Sequence, residues 1–246
     1  MSGNERGKGM REEIRTFINY MEEEKHASKN TTLSYQSDLL KMADYLEENG
    51  ITDCGKVTKT ALNSYILFLE KEGKAASTVS RALASTRSFF GWLFKEGKIR
   101  RDPTDSMHAP KIEKKVPVIL TVDEVTKLLE QPSGANPKEI RDKAMLELLY
   151  ATGIRVTELV NLKLSDVNMS IGFITCRDEH KERMIPFGHA AKDALAKYLE
   201  SAREAFLKGT RSELLFTNYS GRAMSRQGFW KIIKYYGDRA GIEEDI

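Results

Sequence analysis

The chain has 246 residues, of which 40% are hydrophobic and 30% are charged, and its formal net charge is +3 at pH 7. This length can bury one large core or two modest ones, and so small a net charge is weak evidence for an anionic partner. No apolar run approaches the roughly 20 residues that span a bilayer, and the polar amino terminus lacks a signal-type apolar core. Cys54 and Cys176 have no partner at metal-binding spacing. These features predict a soluble, cytoplasmic protein with reduced thiols and no metal site.

After a flexible tail at residues 1–9, residues 10–102 show helical periodicity and almost no strand pattern, which predicts four amphipathic helices. A glycine ends each of the second and third helices, as expected of a C-cap. The fourth helix has an apolar stripe and a separate face that is small, hydroxylated and basic. That face carries Ser77, Arg81, Ser85 and Ser88.

Residues 103–118 carry three of the six prolines and a cluster of lysines without periodicity. This composition predicts an extended basic linker and places a domain boundary there.

The second domain, residues 119–246, begins with Thr121 as an N-cap followed by an acidic first turn. An apolar helix then ends at Gly153, and "GFITC" and "ERMIPF" read as two strands around a tight polar turn. The helix "AAKDALAKYLESAREAF", a strand "ELLFTN" and the helix "SRQGFWKIIKYYGDRAG" follow. The fold class predicted for the chain is mainly α with a small antiparallel sheet (α+β).

The stretch "ATGIRVTELVNLKLSDV" places Arg155 between the end of one helix and the start of the next. A guanidinium held there beside free backbone N–H groups would form an anion site. An ion pair with Glu158, or a side chain that merely extends from the helix start, explains the same spacing. Spacing alone favours these simpler readings, and both interpretations stay open.

The same stretch resembles the arginine-bearing motif of the tyrosine recombinases, the lambda-integrase superfamily, and is most similar to the Xer-type chromosome-resolving enzymes. Further segments resemble the family in its own order, from about residue 10 to the end of the chain. They are "SKNTTLSYQSDL", "STVSRALASTRSFFGWLFKEG", "DPTDSMHAPK", "LTVDEVTKLL", "IRDKAMLELLYATGIR", "HKERMIPFG" and "SRQGFWKIIKYYGDRAGI". The resemblance implies a helical SAM-like core-binding domain followed by an integrase-type catalytic domain.

The resemblance also implies site-specific recombination of duplex DNA through a 3′-phosphotyrosyl intermediate, without metal or nucleotide cofactor. Arg155 matches the first catalytic arginine of the family. The family's catalytic lysine lies in a hairpin turn that here is one residue shorter, with Asp178 and Glu179 where Gly-Lys would fall. Lys181 is the only lysine of this turn and the candidate general acid, although a solvated hairpin charge explains it equally well.

The family continues into a His-x-x-Arg helix and a late nucleophilic tyrosine, and these 246 residues contain no match to either. Tyr235 and Tyr236 lie upstream of that position and are interpreted as helix-face residues. The polypeptide is therefore expected to bind DNA without cleaving it. The sequence does not distinguish a fragment from a natural short form.

The family clamps duplex DNA between its two domains, and its protomers assemble into a synaptic tetramer; without DNA we expect a monomer. Candidate DNA contacts combine small hydroxylated side chains, which allow close approach, with cations that neutralise phosphates. They are Lys29, Thr31, Ser34, Tyr35, Ser77, Thr78, Arg81, Ser85, Arg87, the linker lysines Lys111, Lys114 and Lys115, and Arg226 and Gln227. Phe229 and Trp230 are predicted to belong to the core.

Two other classes of function stay open. One is a non-catalytic DNA-binding or accessory protein on the same scaffold, and the other is a helical protein-interaction module without a DNA role. Substitution of Arg155 distinguishes them, because a recombinase loses cleavage, a binding protein loses only some affinity, and an interaction module shows neither effect.

Overall fold

In the computed structural model the chain divides into two compact units, Met1–Lys115 and Val116–Ile246. The structure describes residues 9–108, 119–177 and 181–243. The predictions for Lys111, Lys114 and Lys115, and for the turn residues Asp178 and Glu179, fall outside the described residues.

The first unit consists of the four predicted helices: α1 Met10–Glu23, α2 Lys29–Glu48, α3 Lys59–Lys71 and α4 Ala76–Lys95. Local signals set their ends, since Ser28 Oγ accepts the Thr31 N–H at the start of α2 and Thr58 Oγ1 accepts the Ala61 N–H at the start of α3. Aromatic side chains from α1 and α4 pack together in the core of this unit. They are Phe17, Phe89, Phe90 and Trp92.

The second unit contains α5 Val122–Glu130, α6 Pro137–Thr152, α7 Val156–Asn161, α8 His189–Ser201, α9 Arg203–Leu207 and α10 Arg226–Ala240. Its antiparallel sheet has the order β1-β2-β3, with β1 Val167–Asn168, β2 Phe173–Arg177 and β3 Glu182–Pro186. The predicted hairpin is β2 and β3, and the predicted fold class is confirmed. Within the described part of the chain, no helix is long and apolar enough to cross a membrane.

Two element predictions for the second unit are wrong. The single helix expected near residues 190–206 is two helices, α8 and α9, because the backbone leaves helical geometry at Ala202. The expected strand "ELLFTN" makes only one isolated bridge, between Lys163 and Leu214. The buried Arg203 donates to the carbonyl oxygens of Ser212 and Leu214 at 2.7 and 2.8 Å. These carbonyls are therefore held by a side chain rather than by a partner strand.

A buried polar cluster joins α6 to α10. Asp142, fully buried, accepts hydrogen bonds from Arg141 and Lys138 of the same helix and from the Tyr236 hydroxyl at 3.1 Å. Burial, and then the charge of Asp142, raise the pKa of Tyr236 above its ordinary value. Arg141 also donates to the Thr217 carbonyl at 3.1 Å. The cluster fixes α6, whose C-terminal end carries the candidate site.

Candidate active site

The junction between α6 and α7 turns the chain within three residues. Gly153 adopts a left-handed conformation with φ 60° and ψ 22°, which ends α6 and favours glycine. Ile154 is buried and anchors the turn in the core, whereas Arg155 is extended and precedes the first residue of α7. The Arg155 side chain is 73% exposed, so it projects outward from the junction.

Glu158 holds this junction from the first turn of α7. Its Oε2 accepts a hydrogen bond from the backbone N–H of Arg155 at 2.7 Å. The expectation that this N–H is free to bind an anion is therefore wrong. The Arg155 guanidinium donates to Oε1 at 3.5 Å. The ion pair considered from the sequence is therefore present but long, and hydrogen bonds weaken at such distances. The guanidinium remains open to solvent.

Arg183 is the stronger partner of Glu158. Its Nη2 lies 2.7 and 2.8 Å from the two carboxylate oxygens, and the Glu158 side chain is only 15% exposed. Arg183 lies on β3, opposite Cys176 of β2. Its ion pair with Glu158 therefore ties β3 to α7. Sequence analysis missed Arg183. The strand alternation places it on the same face as the half-buried Ile185, and a cation on an inward face signals a carboxylate partner.

A second ion-pair group lies beside the first. Arg177 Nε donates to Glu182 across the hairpin at 3.0 Å, and its Nη1 donates to Asp166. The hydrogen bonds to Glu182 raise the pKa of Arg177, which keeps it cationic. Asp166 also accepts the Lys163 N–H at 2.9 Å. These contacts fix the hairpin against the segment that follows α7.

A cavity of about 530 Å³ lies between α7 and β2, lined by Glu158, Asp166, Arg177 and Cys176 among others. Cys176 is buried, and burial raises the pKa of its thiol. Burial therefore favours the neutral form of this thiol.

Lys181 is exposed and immediately precedes β3. This position agrees with a hairpin lysine, but its role as general acid stays a prediction.

The candidate DNA contacts divide by exposure. Lys29, Ser77, Arg81, Arg87, Arg226 and Gln227 are exposed, and Thr31, Ser34, Tyr35 and Thr78 are half-buried. The Arg81 guanidinium is held by the buried Asp38 at 3.0 Å. Ser225 caps α10 by accepting the Gly228 N–H, so Arg226 and Gln227 lie at an ordered helix start.

Three side-chain predictions can be compared with the structure. Ser85 is fully buried and donates to the Ala82 carbonyl at 2.9 Å, so its prediction as a DNA contact is wrong. Trp230 is 51% exposed, so its prediction as a core residue is also wrong, whereas Phe229 is buried as predicted. The inward face of α10 is set by Phe229, Ile232 and Tyr236, and Trp230 lies off that face.

Tyr235 and Tyr236 both lie on α10, as predicted. Tyr236 is buried and its hydroxyl donates to Asp142, so this side chain belongs to the core of the second unit. Tyr235 is half exposed and stacks edge-on against Tyr236.

Sequence comparisons match both units. The sequence model of the Phage integrase family matches residues 119–246, and that of the phage integrase N-terminal SAM-like domain matches residues 14–97. Tyrosine recombinase XerD of Listeria monocytogenes is 40% identical over 240 residues, which cover 96% of this chain and 81% of that protein. XerD of Halalkalibacterium halodurans is 38% identical over 235 residues, covering 95% and 79%.

Solved structures share the fold. A lambda integrase tetramer bound to a Holliday junction matches with a TM-score of 0.74 at 16% identity, covering 97% of this chain and 68% of that one. The XerH site-specific recombinase bound to difH substrate, in its pre-cleavage complex, matches with a TM-score of 0.71 at 18% identity, covering 96% and 70%. The two sequence models match in chain order, and the identity to XerD proteins extends over nearly the whole chain. The chain belongs to the phage integrase family of tyrosine recombinases.

Proposed function

We propose that this chain acts in site-specific recombination, that both of its units bind a duplex recombination site, and that Arg155 binds the phosphate at which strands are exchanged. The observation that carries the proposal is the exposed Arg155 guanidinium on a junction that Gly153, Ile154 and Glu158 hold in place. The XerD relatives are named tyrosine recombinases, and structures of the same fold were solved on DNA.

The contacts of Glu158 support this role for Arg155. Glu158 uses its short hydrogen bonds on the Arg155 N–H and on Arg183, and it makes only one long contact with the Arg155 guanidinium. The backbone of Arg155 is thus fixed while its side chain can bind an external anion without breaking a strong ion pair. Strand cleavage passes through a pentacoordinate phosphorus with negative charge on its nonbridging oxygens. A preorganised guanidinium is most effective where such charge develops.

Strand cleavage in the family needs a tyrosine that has no match in these 246 residues, so these residues are proposed to bind the recombination site without cleaving it. Lys181 is the proposed general acid of the cleavage reaction that takes place when such a tyrosine is present. In that reaction the tyrosine hydroxyl loses its proton to solvent and its oxygen attacks phosphorus. The bond from phosphorus to the 5′-oxygen breaks, and Lys181 donates a proton to that leaving oxygen. The phosphotyrosyl bond conserves the energy needed for rejoining. Additional protomers on the same DNA are the proposed partners.

The proposed DNA surface of the first unit lies on α2 and α4, with Lys29, Arg81 and Arg87 as phosphate-neutralising side chains. In the second unit, Arg226 and Gln227 lie at the start of α10, where helix polarity favours a phosphate.

The test uses a duplex selected by this chain from a random pool and measures affinity by fluorescence anisotropy at several salt concentrations. The logarithm of affinity is expected to fall linearly with the logarithm of salt, by about 0.9 for each neutralised phosphate. A salt-independent affinity, or no duplex binding at all, would contradict the proposal and favour a protein-interaction module.

The role of Arg155 is tested by replacing single phosphates of the selected duplex with neutral methylphosphonate. Arg155→Ala is expected to lower affinity for the unmodified duplex about tenfold, because a charge-assisted hydrogen bond is removed. At one phosphate position, the neutral replacement should abolish the difference between Arg155→Ala and the unsubstituted chain. Arg211→Ala removes another exposed arginine of the same unit and is the matched control. Purely additive effects at every position would show that Arg155 contacts no phosphate.

A further inference from the structure

The first unit contains a cavity of about 450 Å³ between α1 and α4, here called the α1/α4 groove. Aromatic side chains line one side of it: the Tyr20 and Trp92 rings lie 5.8 Å apart, and Phe17 lies 5.5 Å from Trp92. Trp92 and Phe17 are buried, so this wall is an ordered part of the core.

Three cations line the same groove: Lys25, Arg87 and Lys95. All three are exposed, and the groove lining contains no carboxylate. Among the side chains that the structure describes, none forms a salt bridge with Lys25, Arg87 or Lys95. The acidic residues nearest in sequence are Glu22–Glu24, beside Lys25, and Glu96, beside Lys95. All are exposed, and none of them lines the cavity.

A neighbouring lysine shows that this arrangement is specific to the groove. The Lys98 Nζ lies 4.3 Å from the centre of the Trp92 ring, and Glu13 neutralises it at 2.6 Å. Trp92 therefore contacts one cation that a carboxylate neutralises, whereas the cations that line the groove have no carboxylate partner among the described residues. Lys25 lies 5.8 Å from the centre of the Tyr20 ring.

Uncompensated cations beside a low-dielectric wall create a focused positive potential. An anion that binds in the α1/α4 groove must fit a cavity of about 450 Å³. It must also belong to a molecule that reaches α4. A phosphate of the DNA backbone meets both conditions.

The position of the groove on α4 favours duplex DNA. Arg81 and Lys95 lie 14 residues apart, which places them within about 40° of each other around the helix and about 21 Å apart along it. This distance is more than half of the roughly 34 Å rise of one duplex turn. The groove can therefore reach a backbone position that the Arg81 end of α4 cannot.

We propose that the α1/α4 groove binds a phosphate of the duplex DNA backbone through Lys25 and Lys95, and so extends the DNA surface of the first unit from α2 and α4 to the end of α1. This inference rests on the proposed function, because it requires the first unit to bind duplex DNA.

The first experiment compares Lys25→Gln/Lys95→Gln with Lys71→Gln/Lys74→Gln, a matched pair of exposed lysines of the same unit outside the groove. Affinity for the selected duplex is measured as a function of salt. The groove variant is expected to lower the salt slope by about one unit for each phosphate that it no longer neutralises. The control variant is expected to keep the slope of the unsubstituted chain.

The second experiment observes the groove directly. The chain has two tryptophans, so Trp230→Phe leaves Trp92 as the only one, on the wall of the groove. Duplex DNA is expected to change Trp92 emission in this background, and Lys25→Gln/Lys95→Gln is expected to abolish that change.

Normal duplex binding by the groove variant, with an unshifted salt slope and Trp92 emission that duplex leaves unchanged, would overturn the inference while the proposed function stands. A response of Trp92 to adenosine monophosphate but not to duplex would also overturn it, in favour of a free-nucleotide site. If the unsubstituted chain binds no duplex, the proposed function fails, and the inference fails with it.

Discussion

In the second unit, Arg183 and Arg177 donate to Glu158 and Glu182 over 2.7 to 3.0 Å, so carboxylates direct these cations. In the first unit, Lys25 and Lys95 line the α1/α4 groove without a carboxylate partner among the described residues. Arg81 is intermediate, since a single bond to the buried Asp38 holds its exposed guanidinium.

This difference separates two uses of positive charge. A cation bound by a carboxylate has a fixed direction but contributes less net potential, which suits the structural role of Arg183 and Arg177 in holding the hairpin beside the Arg155 junction. Uncompensated cations supply potential without fixed geometry, which suits contact with a DNA backbone that is the same at every step. The comparison predicts that carboxylates in the second unit carry stability, whereas the groove lysines do not.

The largest effect is expected for Asp142→Ala, which leaves the buried Arg141 without its carboxylate. Breaking a buried ion pair on one side costs about 3–5 kcal/mol. Urea unfolding measures the loss, and exposed Asp238 provides the control Asp238→Ala. Each unit has one buried cysteine, so thiol labelling locates the damage: Cys176 should react faster while Cys54 stays protected. A loss below about 1 kcal/mol would break the comparison.

Glu158→Ala is expected to lower the free energy of unfolding by about 1–3 kcal/mol, because the Arg155 N–H and Arg183 both lose their acceptor. Urea unfolding is again the measurement, with exposed Glu200→Ala as the control. An unchanged free energy of unfolding would show that the hairpin does not depend on this carboxylate.

Asp38→Asn tests the intermediate case through its pH dependence. Burial raises the pKa of Asp38, and the lowering effects of Arg81 and Lys41 are smaller. Since the folded pKa exceeds the unfolded one, this carboxyl favours folding below the unfolded pKa, and that contribution disappears as pH rises through the folded pKa. The variant should therefore gain stability relative to the unsubstituted chain as pH rises from about 3 to about 7, measured as unfolding free energies. A relative loss over this rise in pH would show that the Arg81 ion pair outweighs the burial of Asp38.

The smallest effect on stability is expected for Lys25→Gln/Lys95→Gln, which should change the free energy of unfolding by no more than about 0.5 kcal/mol. No carboxylate loses a partner, and repulsion among the groove cations is relieved. A loss well above this value would mean that the lysines stabilise the fold, and it would contradict the comparison.

Sequence analysis predicted most elements and the Arg155 junction because their signals are local. Side-chain caps, helical periodicity and the left-handed glycine at residue 153 are all encoded within a few residues. Sequence analysis was wrong for Ser85 and Trp230, because the residue type alone did not predict whether each side chain is buried. A serine in a helix can satisfy its own hydroxyl with a nearby carbonyl and be buried. A tryptophan is often buried, but the position of Trp230 around α10, off the face that carries Phe229 and Tyr236, leaves it exposed.

The sequence by itself determined most of the helices, the hairpin, the family and the identity of Arg155 as the residue to test. Only the tertiary structure decided which charges neutralise each other. Arg183 and Glu158 are 25 residues apart, and Tyr236 and Asp142 are 94 residues apart. The pairing of such groups depends on how distant elements pack, and periodicity along the chain carries no record of it.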